Sequence, residues 1–387
     1  MPLLTGFVGG TGVSKTLESA SSLLRRDYFK ELGVRTFINA AGTYTSMTGC
    51  LMNPEVVEAI NYATNQYVNL DDLQDAVGER IAELLNVEYA TITAGAFSAI
   101  TLGTAGVMTG KDSKKAAMLP NDTTGMKDEV ILQKSHHIGY SHALRNAGAK
   151  LVIVETAEEM EAAINDQTAM MWFLNYANPT GQVKYEQFIE IGKKHGVPTM
   201  NDCAADVPPV ENLWKYTDMG FDLVCFSGGK GLRGPQSAGL LLGRRDLIEA
   251  ARISAPPRGD TVGRGMKVNK EEILGMYIAL ESYLQRDHEA DWKLWNYQID
   301  HIIDSVSGIE GVSCEKHVPE IANHVPSVRI HVDEEILGET NVREKLRLGH
   351  PSIQTVGDDK SIGITTWMMN PGEERIVGRR LREILDS

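Results

Sequence analysis

The chain has 387 residues, 42% hydrophobic and 23% charged, and its 52 acidic against 38 lysine and arginine residues give a formal net charge of −14. That length exceeds what one small core serves and predicts a larger and a smaller domain, while the acidic balance, with no basic cluster, argues against tRNA or DNA as a substrate. No stretch approaches the roughly 18 apolar residues of a membrane span, the first ten residues lack the basic start of a signal peptide, and Cys50, Cys203, Cys225 and Cys314 have no CxxC spacing, which together predict a cytoplasmic protein with small buried thiols.

In chain order, Ser14 to Leu32 reads as a helix ending at Gly33. Phe37 to Ala41 starts as a strand and becomes a polar, glycine-rich loop through Tyr44 and Thr45. Asn53-Pro54-Glu55 opens a helix, with Asn53 as its cap, and Leu73 to Leu85 is a second, amphipathic one. Ala90 to Met108 reads as a strand, a turn of small residues at Gly95 and Ala96, and a buried helix. Exposed N–H groups at that helix start suit an anion such as phosphate, with Thr93 or Ser98 adding a hydroxyl. Tight packing of small residues explains the same composition.

From Val130 strands and helices alternate. Strands are expected at Val130–Gln133, Leu151–Glu155, Ala169–Asn175, Thr199–Cys203 and Phe221–Phe226. Helices are expected up to Asn146, at Ala157–Ile164 and at Lys184–His195. Ala238–Leu242 is an antiparallel or edge strand. The pattern predicts an α/β fold with a mostly parallel, doubly wound sheet, whose ligands sit at the carboxyl ends of the strands. Lys270 to Trp295 reads as one long connecting helix. Strands at Ser327–Val332 and Ile362–Thr366 and a last helix after Pro371 predict a small α+β domain. The expected boundaries are 1–35 for an N-terminal helical segment, 36–268 for the large domain, 269–295 for the connector and 296–387 for the small domain.

The stretch Phe226-Ser227-Gly228-Gly229-Lys230-Gly231-Leu232-Arg233-Gly234 follows an apolar strand and surrounds one lysine with glycines, which remove bulk and let the backbone turn. A lysine in such a pocket can lose its proton and act as an amine nucleophile. A solvated lysine on a surface turn is the plain alternative. Other strand ends supply what pyridoxal 5'-phosphate needs. Lys230 serves the aldehyde. Asp202 serves the ring nitrogen. The Gly95-Ala96 turn, with Thr93 and Ser227, serves the phosphate. His136 or His137 serves the ring face, and Asn178 the ring hydroxyl. Each has a structural alternative: a turn acid, a surface turn at Asn178-Pro179, or loop histidines that with His142 make a metal site conceivable. No HExxH or carboxylate pair supports a metal. What favours the cofactor is that all fall on one edge of one sheet.

The chain resembles a fold-type I pyridoxal phosphate enzyme, and within that superfamily the group related to L-seryl-tRNA selenium transferase, which includes D-glucosaminate-6-phosphate ammonia-lyase. The resemblance is carried by Ile38–Thr43 with Leu51–Val57, Thr93–Ala96, Asn201–Ala205, Phe226–Gln236 and Gly263–Val268. It implies Lys230 as the Schiff-base lysine, Asp202 as the ring-nitrogen partner and His136 or His137 near the ring. It also implies that Arg264 or Lys267 helps bind an anionic group, with a subunit interface as one place for it, and that the protein is a homodimer or a multiple of dimers. The transferase carries an N-terminal tRNA-binding extension and this chain has only a short leader, so the expected substrate is a free or phosphorylated amino acid. The expected reaction is α,β-elimination by an ammonia-lyase or dehydratase, giving a 2-oxo acid and ammonia. Candidates for gripping the substrate are Tyr44, Thr45, Arg258, Arg264, Lys267 and Arg329. The same residues serve aminotransferases, racemases and aldolases, and from another class a non-catalytic protein that binds phosphate ligands in its glycine-rich loops.

Overall fold

Strands that alternate with helices in sequence build one seven-stranded sheet. They are Tyr89–Thr93 (β2), Glu129–Gln133 (β3), Lys150–Val154 (β4), Thr168–Leu174 (β5), Thr199–Asp202 (β6), Leu223–Ser227 (β7) and Gly239–Gly243 (β8). β1, Phe37–Asn39, lies outside it. The structure, a computed structural model, describes residues 26–333, 335, 341–358 and 360–386.

The order is β2-β8-β7-β6-β5-β3-β4. β8 is antiparallel to both neighbours, and the other pairs are parallel. β8 is therefore an interior strand and not an edge. Only residues 228–238 join it to β7, a link short of the dozen or more residues that a parallel crossover takes, so the chain returns antiparallel. All seven residues of β5 are buried, as a central strand covered on both faces requires. Met171 and Phe173 pack on one face with Phe188 and Val224. Met170 and Trp172 pack on the other with Ile100 and Leu241. Two helical layers thus hold the sheet, and every parallel strand ends at the same edge.

A second, antiparallel sheet has the order β12-β13-β10-β9, formed by Val312–His317 (β9), Ser327–Val332 (β10), Val356–Gly357 (β12) and Ser361–Thr365 (β13). β1 pairs in parallel with Ser352–Gln354 (β11), and Ile38 is buried with Val328, Ile353 and Leu381. The loop after β1 thereby starts from the C-terminal sheet region and runs back onto the lysine loop. A Cβ on Gly49 would lie 2.6 Å from the Gly229 carbonyl.

Several elements differ from expectation. The connecting helix is two helices, Lys270–Leu284 and His288–Val306. Asp287 caps the second by accepting the Ala290 N–H, and Arg286 pairs with Asp291 across the break. No glycine or proline marks this corner in the sequence. Asn53 stands at a helix start but its side chain makes no capping bond. The helix ending at Asn146 has only five residues, His142–Asn146. A helix at Asn212–Met219, between β6 and β7, was not expected. Of the helix expected at Ser14–Leu32, Tyr28–Glu31 is helical, and residues before 26 lie outside the described part.

Candidate active site

Asp202 ends β6 and Ser227 ends β7, its neighbour in the sheet. The turn after Ser227 carries Lys230 back over the edge toward Asp202. None of Gly228, Gly229 and Gly231 has a positive φ. They are small because the loop is hemmed in: a Cβ on Gly231 would lie 2.1 Å from the Val207 carbonyl, and one on Gly229 2.6 Å from Gln236 Cα. The loop is packed from both sides, which holds the lysine in place.

Burial lowers the Lys230 ammonium below its usual range, against the opposing pull of Asp202, Asp206 and Cys225. Burial raises the fully enclosed Asp202 carboxyl, against its hydrogen bond from the Ala204 N–H at 3.1 Å and the attraction of Lys230. A desolvated amine beside a desolvated carboxyl is the pairing that a nucleophilic lysine and a cationic ring nitrogen need.

Gly95, with φ +88, precedes the helix Ala96–Thr109. The first intrahelical bond is from the Ala99 N–H to the Gly95 carbonyl, so the N–H groups of Ala96, Phe97 and Ser98 have no helical acceptor. No atom lies within 4 Å of where a Gly95 Cβ would stand. Three N–H donors without a helical acceptor at a helix start, beside an uncrowded glycine, suit an anion. The hydroxyls are engaged elsewhere: Thr93 donates to the Gly95 carbonyl at 3.0 Å and Ser98 to the Ala94 carbonyl at 2.9 Å. Asn178 is half-buried, and its Oδ1 is enclosed without a hydrogen-bond partner. The amine, the buried carboxyl, the N–H cradle and the unpaired amide oxygen all fit pyridoxal 5'-phosphate.

The two histidines separate cleanly. His137 is exposed, whereas His136 is fully buried. Its Nδ1 accepts the Leu174 N–H at 3.1 Å, and its ring stands edge-on to Phe173, with centroids 4.4 Å apart. Burial, with Lys184 nearby, holds it down at about 4. It is a neutral core histidine. The unfolded chain binds this proton below about 6.5, so the stability His136 contributes is present above that pH. It is lost as pH falls to about 4, by up to about 3 kcal/mol. Urea unfolding between pH 7 and 4 is expected to show that slope, and His136→Gln is expected to flatten it.

Other predicted residues divide. Tyr44 and Thr45 are exposed on the loop over the lysine turn, and the Thr45 carbonyl accepts from Gln236 Nε2 at 3.1 Å. Arg264 and Lys267 are exposed. Arg258 pairs with Asp71 at 2.9 Å. Arg329 is exposed on β10, between Glu315 and Gly363 in register. Two residues near the lysine were not expected. Asp206 is buried and pushed up to about 7, chiefly by desolvation, and its Oδ1 accepts the Ala322 N–H at 3.1 Å. Arg233 donates to the Trp367 carbonyl. An acid following Cys203-Ala204-Ala205 is the signal that marks Asp206 in the sequence.

Residues 37–296 match the sequence model of L-seryl-tRNA selenium transferase, SelA. The chain belongs to this family. Among its relatives, the D-glucosaminate-6-phosphate ammonia lyase of Salmonella typhimurium is 27% identical over 376 residues, covering 92% of this chain and 98% of that one. The 5'-C-glycyluridine monooxygenase-decarboxylase of a Streptomyces species is 27% identical over 375 residues, 92% of each. The solved structure of a D-glucosaminate-6-phosphate ammonia-lyase superposes with a TM-score of 0.82 at 26% identity, covering 94% of this chain and 99% of that one. The architecture is therefore the fold-type I architecture expected of the family.

Proposed function

We propose that the protein is a pyridoxal 5'-phosphate-dependent lyase that eliminates a β-substituent from a free or phosphorylated amino acid, releasing a 2-oxo acid and ammonia. The observation that carries this is the half-buried Lys230, in the turn after β7, beside the buried Asp202 at the end of β6, each influencing the other's protonation. Full-length similarity to an ammonia lyase supports the same reading. When bound, the cofactor supplies the electron sink that makes the proton on the amine-bearing carbon acidic. Asp202 holds a positive charge on the ring nitrogen. The N–H groups of Ala96, Phe97 and Ser98, with Ser227, would hold the phosphate. Asn178 would serve the ring hydroxyl and His137, the exposed member of its pair, the ring face. Lys230 would hold the cofactor's aldehyde and, once displaced by the substrate amine, would take the proton from the carbon beside it.

Arg264 and Lys267, exposed on this chain, bind an anionic group, and the reading makes the protein a homo-oligomer. The exposed Tyr62, Tyr67 and Val68 support that assembly. The substrate is a small molecule and not tRNA, which the net charge of −14 supports. Four unbridged cysteines support a cytoplasmic location, and no helix among the described residues is long and apolar enough to cross a membrane.

The test is a screen of D- and L-hydroxy amino acids and phosphorylated amino sugar acids with the loaded protein, measuring 2-oxo acid and ammonia. Release of both without a keto-acid co-substrate is expected. Since a relative of equal identity bears the name of a monooxygenase-decarboxylase, CO₂ release is measured alongside. CO₂ without ammonia contradicts the proposal.

A further inference from the structure

Lys230 has two buried carboxyl groups beside it. Asp202 closes β6, and Asp206 follows in the loop beyond, with its N–H donating to the Cys203 carbonyl at 3.1 Å. The chain then runs along the lysine turn: a Cβ on Gly231 would lie 2.1 Å from the Val207 carbonyl and 3.2 Å from Pro208 Cδ. The residues that follow Asp206 and Lys230 therefore touch. The groups that draw a proton onto Lys230 are Asp202, Asp206 and Cys225, and burial holds the Cys225 thiol neutral, far above its usual range. Besides Asp202 and Lys230, the titratable groups facing Asp206 are Cys203, Tyr185 and Tyr216, and burial raises each of these as well. Two acids thus face one amine, among neutral neighbours.

Asp206 also reaches the C-terminal sheet region. Its Oδ1 accepts the Ala322 N–H at 3.1 Å, and the Asn323 N–H donates to the neighbouring Ala205 carbonyl at 2.7 Å. Both donors lie in the connection between β9 and β10. Ala322 has φ +58 and Asn323 φ +45, a conformation that side chains adopt at a cost and that persists where the surroundings impose it. Asp206 is 2% exposed, and the Asn175 side chain also bonds to it. Enclosing a carboxyl this far is costly unless it answers a charge or a backbone donor that water does not reach. Asp206 has both within reach, and the functional reading commits Asp202 to the cofactor's ring nitrogen. Asp206 is then the acid left for Lys230.

We propose that Asp206 is the positioning residue that gives Lys230 a counter-charge of its own, leaving Asp202 for the ring nitrogen, and that it fastens the Ala322–Asn323 turn to this strand end. The inference rests on the functional reading above and divides the site's two acids between its two basic nitrogens. Removing an anion from beside a basic nitrogen loosens its proton. The loaded protein is titrated with acid and base, and its visible absorbance follows the proton on the nitrogen that Lys230 shares with the cofactor. Asp206→Asn keeps the size and an oxygen for the Ala322 N–H but loses the charge. It is expected to move the absorbance midpoint down by about 1 pH unit, about tenfold in proton affinity, without lowering the thermal midpoint. Asp206→Ala loses the acceptor as well, and is expected to move the absorbance midpoint as far and to lower the thermal midpoint too. If Asp206 only fastens the turn, Asp206→Ala melts earlier while the absorbance midpoint stays in both variants. A midpoint that stays or moves up overturns the inference while the functional reading stands. A wild-type protein that takes up no cofactor colour overturns the functional reading, and this inference with it.

Discussion

Lys230→Ala is expected to remove the visible absorbance that the protein acquires with pyridoxal phosphate and to cut 2-oxo acid release by at least about 10²- to 10⁴-fold. That range is what a positioned acid–base group contributes, before the loss of covalent attachment is added. The reason is local. Lys230 sits on a loop packed against Val207 on one side and Gln236 on the other, so no other lysine can take its place without moving the loop. Burial has already lowered its affinity for a proton. The substitution also removes the cation between Asp202 and Asp206, whose carboxyls then rise further. Undiminished visible absorbance in the variant would mean that the cofactor is held elsewhere.

Asp202→Asn is expected to leave cofactor uptake in place and lower kcat by about 10²- to 10³-fold, the scale of losing one preorganised charge from a closed site. Without the carboxylate the ring nitrogen loses its partner and the electron sink weakens. Stability responds in the opposite sense. Asp202 is buried, and burial raises its carboxyl, so the charge is carried at a cost in the empty protein. Replacing it with an amide of equal size is expected to leave the thermal midpoint of the cofactor-free protein unchanged or higher. A structural acid would behave in reverse, with a falling midpoint and unchanged turnover.

Where local pattern decides the outcome, the sequence was readable. β10 runs from Ser327 to Val332 as its alternation predicts, and that same alternation, with Val328 and Ile330 buried, puts Arg329 on the outer face. The strand end holding Ser227 follows from the apolar run Phe221–Phe226, and the one holding Asp202 from the alternation of strands with helices. What pairs over long distance was hidden. The interior place of β8 and the parallel pairing of β1 with β11 depend on partners far along the chain. The corner at Arg286 is set by Asp287 and Asp291 and not by the apolar period. The two histidines were indistinguishable in sequence because only packing against Phe173 separates His136 from His137. Arg233 was hidden among glycines, and Asp206 followed two alanines with nothing in the chain to reveal Ala322 as its partner.

The central claim is that Lys230 carries the cofactor. Borohydride reduction of the loaded protein, followed by peptide mass analysis, tests it directly. The account predicts a single stable cofactor adduct on the peptide Phe226–Arg233, at Lys230. An adduct on another lysine, or none on a protein that has taken up the cofactor, would contradict it.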